Sequence, residues 1–157
     1  MFSTLLLPLA IGHAALVTEA SAPAQTPLEV TTLLFEAISV DDRAFLEAHV
    51  DPAGSITVVM PRDEQALPRH ATLADYLVID PDAAPFSEEL HDAREIVGTR
   101  FATVLGRYSY RLERQLHHCG EVAAGLRRAG DRWIIETLQY SVETDCAGRE
   151  TRPGGHP

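Results

Sequence analysis

The sequence predicts an α+β domain in which helices come first and a sheet of long antiparallel strands follows. Three observations carry this. Apolar residues recur with a helical period between residues 26 and 49, then every second residue from about 93 onward. Strand and helix do not alternate, and no glycine-rich phosphate loop is present, which excludes a dinucleotide-binding fold. A 157-residue chain with 45% hydrophobic residues is long enough for one domain around a real core.

The first segment, MFSTLLLPLAIGHAALVTEASAPA, holds an apolar run over 5–17 broken by Pro8 and Gly12. A run of that length is too short to cross a bilayer, which takes roughly 20 residues. Followed by small residues, it matches the core of an export signal. Ala22-Pro23-Ala24 predicts cleavage after Ala24, and Ala20-Ser21-Ala22 is a second candidate. The expected organisation is therefore a signal peptide over 1–24, a domain over 25–146 and a disordered Gly/Pro-rich tail over 147–157. The expected address is the periplasm or the medium, with no membrane contact after cleavage.

TPLEVTTLLFEAIS opens the domain. Thr26 can cap a helix, Pro27 suits its first position and Glu29 sits where a capping-box acid belongs. Val30, Leu33, Leu34, Ala37 and Ile38 then form one apolar stripe. A shorter helix starts at Asp41 and runs through Phe45, Leu46 and His49. SITVVM reads as a strand, stopped by Pro61. TLADYLVI carries Thr72 and Asp75 at capping-box spacing and predicts a third helix, with Tyr76 on its apolar face. DPDAAPFSEELHDA reads as a loop with one helical turn over 87–90, and its acids as a solvated face. Four strand-like runs complete the domain: AREIV, RFATVLGRYSYRL, LHHCGEVAAGLRR and RWIIETLQYSVE. Gly98-Thr99, Glu113-Arg114-Gln115 and Ala129-Gly130-Asp131 separate them.

The formal charge is −10. That excludes a nucleic-acid partner, which requires a basic face, and disfavours adhesion to anionic lipid. There is no lysine, so Schiff-base lysine chemistry and the phosphate-binding Gly-Lys loop are also excluded.

His117-His118-Cys119 invites a metal reading. Strand neighbours point to opposite faces, so His117 and His118 cannot share an ion unless the strand is distorted. His117 and Cys119 share a face, but two ligands need two more. No zinc-site spacing is present, so neither a metal nor another cofactor is expected. Cys119 has a better partner in Cys146, the only other cysteine. Export puts both in an oxidising compartment. The turn at 129–131 sets Cys119 opposite about Ser141, from which Cys146 can fold back. A disulfide there contributes about 3–4 kcal/mol by loop closure.

Alternation assigns inner and outer faces. On the long strand, Ala102, Val104, Gly106, Tyr108 and Tyr110 alternate with Thr103, Leu105, Arg107, Ser109 and Arg111. The arginines mark the outer face, so Tyr108 and Tyr110 point inward. On the next strand His118 lies on the more apolar face. The last strand stays open. A three-residue turn puts Glu136, Leu138 and Tyr140 inside. A two-residue turn puts Ile135 and Thr137 inside, and a bulge gives Trp133 and Tyr140 both.

The element order, with VGTRFATVLGRYSYRL as a long strand, AGDRWIIETLQYSVE as a closing strand and TPLEVTTLLFEAISVDDRAFLEAHV as an opening helix pair, resembles the nuclear transport factor 2-like superfamily. That group includes SnoaL-like cyclases and ketosteroid isomerases. HHCGEVAAGLRRAGDRW together with Cys146 is similar to the branch named for lumazine binding. The resemblance spans 27–146. It implies a curved sheet wrapped round the helices as a cone with a pocket at its open end, and homodimers are common in the group. Its catalytic members place an Asp, a His or both in the pocket. None of their full catalytic motifs lies on this sequence, so the resemblance carries a fold and a pocket.

The expected function is the binding of a small apolar or aromatic molecule by Tyr76, Tyr108, Tyr110, His118, Trp133 and Tyr140. An alternative is a cofactor-free isomerase, dehydratase or lyase in which His118 and Glu136 move a proton. A third reading is a dimeric interaction module whose cone is plugged by Tyr and Trp.

Overall fold

The computed structural model describes residues 25–60, 69–78 and 82–146. The expected signal peptide and tail lie outside the described residues. Helix α1 spans Pro27–Val40 and α2 spans Arg43–His49. The capping box forms as its spacing predicts: Glu29 N–H donates to Thr26 Oγ1 at 3.1 Å, and Thr26 N–H to Glu29 Oε2 at 2.7 Å. Asp41 ends α1 in the left-handed region, with φ 55°. Asp42 then caps α2 by accepting from Phe45 N–H. Buried Val30, Leu34, Ala37 and Ile38 follow the expected stripe; Leu33 lies at its margin and Phe35 is buried as well.

Six strands follow: β1 (Val50–Val59), β2 (Arg69–Thr72), β3 (Phe86–Val97), β4 (Phe101–Leu112), β5 (Gln115–Ala129) and β6 (Arg132–Ser141). The one-turn helix α3 (Leu73–Tyr76) sits between β2 and β3, capped by Thr72. The sheet order is β2-β1-β6-β5-β4-β3. Helices before a curved, unclosed sheet make the α+β cone. The sheet is mixed, however, because β1 runs parallel to β6 from Ser55↔Thr137 to Val59↔Ser141. Three hairpin reversals from β3 bring β6 back beside β1 in the same direction.

The loop expected over 80–93 is largely strand instead. Its second half, from Phe86, is β3, paired with β4 from Phe86↔Leu112 to Val97↔Ala102. The segment reads as polar because β3 is an edge strand with a charged outer side. A bulge between His91 and Arg94, with Asp92 at φ 47°, keeps Leu90 and Ala93 both partly buried against the core. The main core packs α1, α2 and α3 against the concave face through Leu34, Ile38, Leu46, Ile56, Leu73, Val104, Leu126 and Ile135.

The last hairpin follows neither simple register. A tight turn at Gly130-Asp131 pairs Leu126 with Ile135. A bulge at Glu136 then resets the pairing to Gly125↔Thr137 and Ala124↔Leu138. Trp133 and Tyr140 both turn inward as a result, which is the bulged alternative.

Candidate functional site

A cavity of about 370 Å³ opens between β1, α3 and the concave ends of β3 to β6, within the range of small-molecule sites. Ile56, Val58, Tyr76, Glu88, Tyr110, His118 and Tyr140 form most of its wall, and Arg69 and His70 of β2 stand at its rim. Deeper lies a recess of about 10 Å³, room for roughly one water. Phe35, Tyr108, Val122 and Leu138 surround the recess, while Tyr76, Glu88 and Tyr140 line both spaces and form the neck between them.

Each side chain is placed by an identifiable local cause. The alternation of β4 sends Tyr108 and Tyr110 to the concave face, opposite Gly120 and His118. Tyr108 is 3% exposed. Its hydroxyl donates to the Ser141 carbonyl at 2.8 Å. That carbonyl can sit so close only because residue 120 is glycine: a Cβ there would lie 2.0 Å from Ser141 O. The Tyr140 hydroxyl donates to Tyr76 Oη, joining β6 to α3. The rings of Tyr76, Tyr140 and Tyr108 follow one another edge to face, with centroids 5.9 and 5.4 Å apart. His118 stacks on Tyr110 at 4.5 Å.

Glu88 is the residue that sequence reasoning missed. Phe86, Glu88 and Leu90 share the inner side of β3, so the alternation of a strand carries a carboxylate into an aromatic wall. Helix α1 fixes it there. Ser39 Oγ accepts from Glu88 N–H at 2.9 Å and donates to the Phe35 carbonyl at 2.9 Å. Phe86 and Leu90 flanking an acid were the available signal.

Electrostatics follow from burial. Desolvation pushes the Glu88 carboxyl up to about 7. Burial, then the nearby Glu88 charge, pushes the hydroxyls of Tyr76, Tyr108 and Tyr110 above their usual range. Tyr140 is raised by burial and then by Tyr76. His118 is lowered, first by burial and then by its neighbour His117. Near neutral pH the cavity therefore combines neutral phenols, a neutral imidazole and one carboxyl close to its midpoint. Such a wall can bind an apolar ring, orient a polar group and exchange a proton.

The structure brings Tyr76, Tyr108, Tyr110, His118 and Tyr140 together. Trp133 is buried in the main core and stacks under Arg128, away from the cavity lining. Glu136 does not line the cavity either. Arg127 Nε holds its Oε1 at 2.5 Å, and Arg127 also reaches Asp51. The His117-His118 pair shows the distortion that strict alternation forbids. His117 is the extra residue of a bulge between Tyr110↔His118 and Arg111↔Leu116. The two Nδ1 atoms come within hydrogen-bond distance, at 2.9 Å. Among the described residues no group of three or more ligand-type side chains could hold a metal. Cys119 and Cys146 form a disulfide, beside the bridge Cys119↔Glu143.

No protein-family model matches the chain, and no curated protein matches it. Solved structures do. A nuclear transport factor 2-like protein of unknown function from Shewanella baltica is similar over 74% of this chain and 90% of its own, at 16% identity and a TM-score of 0.52. The S. rosetta CaMKII hub is similar over 79% of this chain and 99% of its own, at 16% identity and a TM-score of 0.58. A candidate dehydratase of the nuclear transport factor 2-like family from Streptomyces avermitilis is similar over 73% and 91%, at 19% identity and a TM-score of 0.55. At such identities the likeness is one of fold.

Proposed function

Because the chain has the nuclear transport factor 2-like fold, we propose that it is an exported protein that binds a small, largely apolar or aromatic molecule in its cone. The observation that carries this reading is the open cavity walled by Tyr76, Tyr110, His118 and Tyr140. Phe35, Tyr108, Val122 and Leu138 close the deeper cone down to about 10 Å³, so the mouth is the space a ligand can enter. The Cys119–Cys146 disulfide is compatible with an oxidising compartment and supports export. Val58 stands on the wall, so Val58→Trp fills the mouth. Native mass spectrometry of protein purified from its own host is expected to find a small-molecule adduct on the wild type and none on Val58→Trp. An equal adduct on both, or none on either, counts against the cavity.

A second reading is acid–base catalysis, and one observation favours it. A carboxyl held near neutrality beside tyrosine hydroxyls suits proton transfer at physiological pH. Glu88 would carry the proton in place of the expected Glu136, with Tyr76 donating to a developing oxyanion. His118 stays as a wall residue near both. If the protein is an isomerase, dehydratase or lyase, Glu88→Gln lowers turnover by about 10²–10⁴-fold while substrate still binds. Unchanged turnover in that variant would remove Glu88 from the chemistry.

A further inference from the structure

We propose that the ligand of this cavity is an organic amine: an apolar body whose ammonium group rests against Glu88 and the rings of Tyr76 and Tyr140. The inference rests on the cavity being the ligand site and adds the charge that the ligand carries.

The first argument is a count of donors and acceptors. The Tyr108 proton is committed to the Ser141 carbonyl and the Tyr140 proton to Tyr76. Each of those hydroxyls keeps a lone pair. Glu88, when ionised, only accepts. The Tyr76 proton is the one hydroxyl donor of these three left for a ligand. Acceptors outnumber donors at the neck, so a ligand that donates satisfies more of them than one that only accepts.

The second argument is the unpaired carboxylate. Among the described residues, the ion pairs take up Asp41, Asp51, Asp92 and Glu136, and none includes Glu88. A carboxylate in an apolar wall without a cation is unfavourable, and its raised proton affinity expresses that. An ammonium at the neck supplies the missing charge.

The third argument is the wall itself. Tyrosine ring faces are the negative poles of their quadrupoles and attract a desolvated cation. Tyr76 and Tyr140 stand round the space that Glu88 faces, whereas Tyr110, stacked between Phe86 and His118, lines it without a free ring face. Among the described residues the charged and titratable groups facing it are few. Strand β4 offers Tyr108 and Tyr110, β5 offers His118, β6 offers Tyr140, α3 offers Tyr76 and β2 offers Arg69 and His70. The residues of α1 that reach it, Leu34, Phe35 and Ile38, carry no charge. Among the described residues Arg69 is the one arginine that lines the cavity, and it is an exposed rim residue screened by solvent. The −10 charge of the whole molecule draws cations toward it.

The test compares three probes of similar shape on the full chain by isothermal titration: phenethylamine, phenethyl alcohol and hydrocinnamate. At pH 8 the amine is expected to bind at least about tenfold tighter than the alcohol, and the carboxylate most weakly. Lowering the pH to 5.5 is expected to weaken the amine by about tenfold or more as Glu88 protonates and to leave the alcohol nearly unchanged. Protonation of His118 acts in the same direction. Glu88→Gln keeps the shape of the side chain and is expected to erase the preference for the amine. If the alcohol or the carboxylate binds as tightly as the amine, the ammonium assignment falls while the cavity stands. If none of the three binds, the cavity reading falls with it.

Discussion

Glu88 keeps its proton up to about pH 7 in the folded protein, against a usual value of 4.5. Between those values the folded state binds more protons than the unfolded chain, so the contribution of Glu88 to stability declines as pH rises through that window. With the group part-exposed, the loss is about 2–3 kcal/mol. His118 works in the other direction: its lowered proton affinity removes stability as pH falls below 6.5. Comparing wild type with Glu88→Gln cancels the histidine. Urea midpoints should be nearly equal at pH 5 and favour the variant by about 2–3 kcal/mol at pH 8; equality at both pH values would mean that the carboxylate is not desolvated. Much of the site could be read from single residues. Arginines at 107 and 111 marked the outer face, so Tyr108 and Tyr110 were legible as inward. Glu88 was not, because an acid flanked by Ser87 and Glu89 gives a segment the composition of a solvated loop. Glu136 misled for a different reason: a one-residue bulge moved it out of phase, and alternation cannot register a bulge.

At the level of elements, the β4–β5 turn departs most from local preference. Glu113 and Arg114 occupy its two corner positions at φ 50° and 70°. Side chains rarely adopt that region, and two-residue hairpins favour Asn-Gly there. Both residues are exposed, so replacing them removes few contacts. Glu113→Asn combined with Arg114→Gly should stabilise the protein by about 1–2 kcal/mol, seen as a raised melting temperature. No gain would mean that the native side chains hold the turn through contacts of their own. The elements with a strong local signal were legible: α1 by its capping box and stripe, β4 to β6 by period two and their turns. Two were not, or only in part. Strand β2 has four residues, all exposed, and so no apolar pattern. Strand β3 was legible only from Ala93 onward, as AREIV; its first half has one neighbouring strand and meets a bulge at Asp92, which breaks the period in the middle.

At the scale of the molecule, the α+β class was legible from the segregation of helical and strand periods. The parallel pairing of β1 with β6 was not, since direction between strands distant in sequence leaves no local trace. The Cys119–Cys146 bridge closes a loop of sequence separation 27, worth about 3.5 kcal/mol in the chain-entropy account. Cys146→Ser should lower stability to guanidinium by about 2–4 kcal/mol, and reductant should do the same to the wild type. Indifference to both would show that the bond does little to restrain the unfolded chain. The position of β6 has a further consequence. It is made last of the six strands yet lies third in the sheet, hydrogen-bonded to β1 on one side and β5 on the other. A growing chain that still lacks it holds two half-sheets with raw inner edges and nothing to join them. Such a polypeptide stays pliable until β6 has been made. That delay leaves the facing edges of β1 and β5 open to wrong pairing and aggregation until the strand between them arrives.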